Sequence, residues 1–231
     1  MEQTESGLYS VNESAGALEY GQFARYLKQE LPKGGAVLDV GCGVGLMLDA
    51  IARDCPGVSA QGVEFSNYAG QKAVEKGHHV RFGDITQMDD LKANSLDAIL
   101  LLYVLEHVQD PMAILKKCCS LLKGSGKILI AVPNYRYLRL THTGILGRLF
   151  YGKQSNLFPN EHLFNYTPKT LTSLLNKGGF DVSYFGQARP FRVGSFFQRL
   201  LKMIFSGIFE ILFKCGYQLG GIHVVASKKI K

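Results

Sequence analysis

Short apolar runs bounded by glycine or proline alternate with helix-patterned stretches along most of this chain, and that alternation limits the fold more than any other feature. The runs are Ala36–Val40, Ser59–Glu64, His79–Phe82, Asp97–Leu102, Lys127–Val132, Phe180–Phe185 and Ile222–Ser227, with helical patterns between the first five. Strands that are apolar throughout and joined through helices belong to a parallel sheet covered on both faces, where crossovers are right-handed. The expected fold is α/β: a doubly wound seven-stranded sheet, mostly parallel with the last strand antiparallel, and helices on both faces.

At 231 residues the chain suits a single domain with a core that needs no staple. A helix pattern from Ala17 to Leu31, ended by Pro32 and Gly34-Gly35, makes residues 1–35 an N-terminal helical cap. Two segments break the rhythm. Residues 134–166 follow the fifth strand and are rich in aromatic residues, Gly, His and Arg; residues 187–221 separate strands six and seven. Ligands of an open α/β sheet lie beyond the carboxyl ends of its strands, so residues 134–166 are assigned as a lid over the substrate. The helix between the two insertions carries its own signals, with Thr167 as cap, Pro168 in the first turn and Gly178-Gly179 at the end.

Five cysteines without a CxxC pair argue against a disulfide framework and against a zinc site. The start, Met1-Glu2-Gln3-Thr4-Glu5, is acidic and polar where a signal peptide is basic and then apolar, so a cytoplasmic location is expected. The net charge of +7 is uneven: residues 191–231 hold seven Lys or Arg against the single acid Glu210, so +6 of it belongs to that segment. The nearly neutral body gives no broad basic face, and no nucleic-acid partner is expected.

The sharpest local signal is Val37-Leu38-Asp39-Val40-Gly41-Cys42-Gly43-Val44-Gly45, a buried strand entering a glycine-rich turn ahead of a helix. Glycines there let backbone approach a ligand and present amides at a helix N-terminus. The spacing is GxGxG where the dinucleotide fingerprint has GxGxxG, and Asp39 would stand close to any pyrophosphate. A cationic ligand fits better. S-adenosylmethionine (SAM) carries an ammonium and a sulfonium, and Asp39 is suited to its methionine portion. Glu64 ends the second strand about 20 residues beyond the glycines, where a carboxylate can accept ribose hydroxyls. Asp84 follows the third strand and can accept from an adenine amine while Ile85 packs on the ring. The competing explanation is that each acid only caps the helix after its strand.

These residues, together with Leu96–Pro111 and Leu121–Lys127, resemble the class I SAM-dependent methyltransferases, a Rossmann-like family, over about residues 20–185 and the last strand. The stretch Leu102-Tyr103-Val104-Leu105-Glu106-His107 is similar to the fourth-strand motif of the subfamily that includes the ubiquinone-pathway O-methyltransferases. The resemblance implies SAM as cofactor, with S-adenosylhomocysteine as product, held by Asp39, Gly41, Cys42, Gly43, Gly45, Glu64, Phe65, Asp84, Ile85 and Leu102. Tyr103, Asn134 and Tyr135 are assigned to the acceptor. Ubiquinone-type members have a further Glu three residues before the Glu-His pair, thought to help hold a metal; Tyr103 stands there instead, and no metal is expected. Asn160–Pro168 is similar to a segment that many members place over the substrate. His162 is the first candidate base, against the alternative that it only ties the segment down. His107 is the second, against a role in holding its loop, and His142 is the weakest.

Between Phe196 and Leu212 the chain is mostly Phe, Leu and Ile, interrupted by Arg199, Lys202, Ser206 and Glu210 at helical spacing. That gives a broad apolar face and a narrow polar stripe, too interrupted for a membrane span. It suits a helix at a membrane interface or at the entrance for a lipid-linked substrate, and equally a helix packed on the domain or in a homodimer. The expected activity is methylation of an oxygen on a small or lipid-linked acceptor. Methylation of RNA or protein, or SAM binding without catalysis, are the alternatives.

Overall fold

Residues 19–30 form helix α1. Strands and helices then alternate as β1 (Gly35–Val40), α2 (Leu46–Asp54), β2 (Val58–Glu64), α3 (Asn67–Glu75), β3 (Val80–Phe82), a 3-10 turn (Ile85–Gln87), β4 (Leu96–Leu102), α4 (Pro111–Leu121), β5 (Leu122–Val132) and α5 (Tyr135–His142). After these come α6 (Pro168–Lys177), β6 (Phe180–Ala188) and β7 (Gly221–Lys228). The computed structural model describes residues 19–142, 162–188 and 221–229, with positions 203, 204, 207, 208 and 211 between the last two stretches. Residues 1–18 of the expected cap, 143–161 of the expected lid and most of the 187–221 insertion lie outside the described residues.

The seven strands form one sheet in the order β3-β2-β1-β4-β5-β7-β6. The pairs from β3 to β5 are parallel, and β7 runs antiparallel to both β5 and β6. Alternation of side chains along β4 shows why its run is apolar throughout. Ile99 and Leu101 join Leu38, Val40, Ile128 and Ile130 beneath α4 and α6, while Ala98 and Leu100 join Val37, Leu129 and Ala131 beneath α1 and α2. Ile99, Leu100 and Leu101 are each 0% exposed. At about 1.5–3 kcal/mol for each fully buried large side chain, this central strand is a main source of the fold's stability.

Two boundaries differ from the sequence pattern. β5 begins at Leu122, ahead of the expected Lys127, because Leu122 already pairs with Leu96; the register then jumps to Ala98 opposite Lys127, so Lys123–Gly126 bulge from the ladder. β6 continues to Ala188, since β7 pairs with it up to Ala188 opposite Gly221, past a register shift between Val182 and Tyr184. The start of α6 follows the sequence signals. Thr167 and Thr170 form a reciprocal capping box with Pro168 in the first turn, and Gly179 takes φ +92° just after the helix.

Candidate active site at the carboxyl ends of the strands

The three glycines after β1 all take positive φ: Gly41 +74°, Gly43 +54° and Gly45 +83°. Gly41 also has no room for a side chain, because a Cβ there would lie 2.6 Å from Val104 Cγ2. The turn is held by its neighbours. Gly41 and Cys42 amides donate to the Val63 carbonyl, and the Gly43 amide donates to Glu64 Oε2 at 2.7 Å. Gly45 caps α2 with no side-chain bond, so the backbone alone forms the entrance to that helix.

Asp39 lies in the middle of the sheet, flanked by Gly62 of β2 and Leu100 of β4, and is 2% exposed. Burial pushes its carboxyl up to about 7, and the nearby Glu64 charge adds to the shift. Glu64 is 8% exposed and accepts from the Ser66 amide at 2.8 Å as well as from Gly43. It therefore ties the glycine turn to the end of β2, and each carboxylate oxygen keeps a lone pair for another donor. Cys42 is buried with its sulfur against the space beside Gly62, and burial raises its thiol well above the usual range.

The ends of β2 and β3 offer a different surface. Phe65 is 81% exposed. Asp84 is exposed and caps the 3-10 turn by accepting from the Thr86 amide at 2.8 Å, so the helix-cap explanation accounts for one of its oxygens. Ile85 is 2% exposed and belongs to the hydrophobic core, leaving its backbone, not its side chain, at this edge.

Beyond β4, Leu102 is at the margin of burial and Tyr103 takes φ +60°, a conformation that a bulky residue adopts only under constraint. The constraint is visible. The Tyr103 amide donates to the Ala131 carbonyl, and its hydroxyl donates to Glu19 Oε1 at 2.5 Å. Glu19 also contacts His223 Nε2, so α1, β4 and β7 meet at one buried carboxylate. Burial and the Glu19 charge raise the Tyr103 phenol far above its usual range. Neither Glu19 nor His223 was singled out by the sequence pattern, although His223 stands alone among apolar residues of β7, which is a signal of its own.

The segment that returns after residue 161 docks on the loop following β4. Leu163 and Phe164 amides donate to the Glu106 carbonyl at 2.7 and 3.1 Å, and the Tyr166 hydroxyl donates to the Leu105 carbonyl at 3.1 Å. These bonds place the His162 ring edge-on to the His107 ring with centroids 4.9 Å apart. The two candidate bases are thus brought together. Glu106, from the same motif as His107, lies beneath them; burial pushes its carboxyl up to about 8. His142, the weakest candidate, ends α5, and its side chain lies outside the described residues.

Asn134 is 0% exposed; it bridges to Tyr166, and its side-chain oxygen accepts from the Arg136 amide at 3.1 Å. It pins the base of the insertion. Tyr135, whose amide donates to the Tyr166 carbonyl, is half-buried at the same place.

A mixed sheet of this order with a glycine turn between β1 and α2 is the Rossmann-like fold of class I SAM-dependent methyltransferases. Residues 17–184 match the methyltransferase domain family, and the chain belongs to it. It is 39% identical over 108 residues to the ubiquinone biosynthesis O-methyltransferase of Xanthomonas axonopodis pv. citri, covering 45% of each chain. It is 31% identical over 154 residues to the protein of that name from Coxiella burnetii, 63% of this chain and 58% of that one. The chain spans about half the length of the curated relatives it matches. The 1,6-didemethyltoxoflavin-N1-methyltransferase of Burkholderia thailandensis, solved with 1,6-didemethyltoxoflavin and S-adenosylhomocysteine, shares the fold. Its TM-score is 0.63 at 16% identity, over 99% of this chain and 85% of that one.

Proposed function

We propose that the chain transfers a methyl group from SAM to a hydroxyl oxygen of a small or lipid-linked acceptor. The observation that carries this is Asp39, a buried carboxyl beside Glu64 at a glycine turn that admits no side chain at Gly41. Such a place rejects a pyrophosphate and suits an ammonium, which would restore the charge of Asp39. Glu64, already held by two amides, is oriented to accept ribose hydroxyls, and the exposed Phe65 ring offers a face for a base. Asp84, Ile85 and Leu102 line the same edge.

When bound beside Asp39 and Glu64, the cofactor would supply an electrophilic methyl carbon on a sulfonium for in-line transfer to the acceptor oxygen. The protein's work is alignment and removal of one proton. Tyr103 and Tyr135 flank the acceptor side, and His162 with His107 beside it is placed to take the hydroxyl proton. The names of the relatives support an oxygen acceptor.

A lipid-linked acceptor or a peripheral membrane contact is supported by the insertion before β7. Met203, Ile204, Ile208 and Ile211 are helical and exposed at spacings that share one face, within a stretch whose sequence supplies Arg199, Lys202 and Lys214. No helix among the described residues is long and apolar enough to cross a membrane. Calorimetry with SAM and S-adenosylhomocysteine, on wild type and Asp39→Ala, tests the first half of the proposal. Transfer of labelled methyl to catechols with and without alkyl tails tests the second. Absence of cofactor binding by the wild type would refute the activity; binding without transfer to any acceptor would leave a SAM-binding protein without catalysis.

A further inference from the structure

Helix α1 brings into the core a carboxylate that its packing does not require. Phe23, Ala24 and Leu27 are each at most 5% exposed and dock the helix on the face of the sheet that carries Val37, Leu100 and Leu129. Glu19, one turn ahead of Phe23, is nevertheless 9% exposed, and a carboxylate at that depth is costly unless its partners compensate. Both partners stand at the carboxyl end of the parallel strands. Oε1 accepts from the Tyr103 hydroxyl at 2.5 Å and meets His223 Nε2, whose ring lies 4.8 Å from that of Phe23.

The Tyr103 end of this link departs from the pattern of its strand. Alternation along β4 would send residue 103 to the face of Ile99 and Leu101, yet its ring joins Leu102 on the opposite face. The chain turns over here through a φ of +60°, a value that a bulky residue keeps only where its surroundings hold it. The loop that leaves Tyr103 carries the candidate bases. The His107 amide donates to the Val104 carbonyl, and the Glu106 carbonyl receives the Leu163 and Phe164 amides that bring His162 alongside.

We propose that Glu19 is a positioning residue for methyl transfer: by holding the Tyr103 hydroxyl it fixes the turned-over end of β4, and with it the spacing of His107 and His162. The proposal deepens the methyl-transfer reading, on which it rests for the effect on rate but not for the effect on the histidines. The role needs an accepting oxygen, not a charge. Glu19→Gln keeps a carbonyl oxygen with two lone pairs for Tyr103 and His223, whereas Glu19→Ala and Tyr103→Phe each break the link.

Nuclear Overhauser contact between the His107 and His162 ring protons is recorded on ligand-free full-length protein. It should persist in Glu19→Gln and weaken or vanish in the other two variants. In transfer of labelled methyl from SAM to a catechol, Glu19→Ala should lose at least about tenfold in kcat while the KM for SAM stays within about threefold, since the glycine turn keeps its bonds to Val63 and Glu64. Glu19→Gln should stay within about threefold of wild type in kcat, and Glu19→Ala combined with Tyr103→Phe should be no slower than Glu19→Ala alone, because both changes break one link. Circular dichroism melting reports whether each variant folds; should Glu19→Ala not fold, Tyr103→Phe carries the same test with α1 unaltered. An unchanged ring contact in the link-breaking variants, a rate loss that resides in the KM for SAM, or Glu19→Gln as slow as Glu19→Ala would overturn the proposal. A wild type that methylates no acceptor would remove the proposed activity alone, and the ring contact would still decide whether Glu19 sets the histidines.

Discussion

Replacing Asp39 by Asn should stabilise the ligand-free protein, and do so increasingly as pH rises. Asp39 is 2% exposed, and its carboxyl is raised from 3.8 to about 7 chiefly by burial. A shift of that size corresponds to about 4 kcal/mol at roughly 1.4 kcal/mol per pH unit, an upper bound because buried sites relax. The sign follows from which state holds the proton. With the folded value above the unfolded one, the native protein binds more protons between them, so the contribution is fully present below pH 4 and lost as pH rises to 7. Asn carries no such dependence. From pH 5 to pH 8 the stability of Asp39→Asn relative to wild type should therefore rise by roughly 2.5 kcal/mol, independent of any constant effect of the amide. Urea unfolding of both proteins at the two pH values measures it. A difference that stays level within about 0.5 kcal/mol, larger than the usual noise of such comparisons, would show that Asp39 is not desolvated as described. The cofactor should reverse the order. Losing a charge-assisted bond costs about 1.5–3 kcal/mol, so SAM should bind the variant roughly 10- to 150-fold more weakly by calorimetry.

Gly41→Ala combines a φ of +74° with a Cβ 2.6 Å from Val104, so it should cost at least about 1–3 kcal/mol and depress SAM binding together with stability; a melting temperature within a degree of wild type would contradict this. Tyr103→Phe removes a donor from the buried Glu19 and should cost about 1–3 kcal/mol in urea unfolding. Under about 0.5 kcal/mol would mean that the link between α1 and β4 carries little load. Thr167→Ala opens the capping box of α6 and should cost about 0.5–2 kcal/mol, whereas Thr167→Ser should restore most of it.

Much of the frame was legible because its signals are local. The apolar runs of β1 and β4 need only their own composition, the glycine turn needs only positive φ, and α6 announces both ends through Thr167 and Gly179. What escaped depends on residues far apart in the chain. Glu19 looks like an ordinary helix acid until β4 and β7 bring Tyr103 and His223 to it. Glu106 belongs to the motif at the end of β4, yet its isolation and its company with His162 arise only when residues 162–166 fold back on the loop after β4. Ile85 follows β3 in the sequence, a placement that does not tell how deeply its side chain is buried; in the fold it joins the core. The bridge of Asn134 to Tyr166 is likewise a long-range contact that appears only in the fold.

The place of β7 also sets an order of assembly. It lies inside the sheet, between β5 and β6, and among the described residues β6 has no other strand beside it. Until residues 221–228 are available, β6 has no ladder to join and the outer edge of β5 is a bare template for another chain. Helix α1 waits as well, since Glu19 meets a partner 204 residues further along. During synthesis the nucleus from β1 to β5 can form first through its local crossovers, and the joining of β7 to the sheet with the docking of α1 should be the late, slow event. Fragments ending before Gly221 should then retain the parallel half of the sheet and aggregate through its unfinished edge.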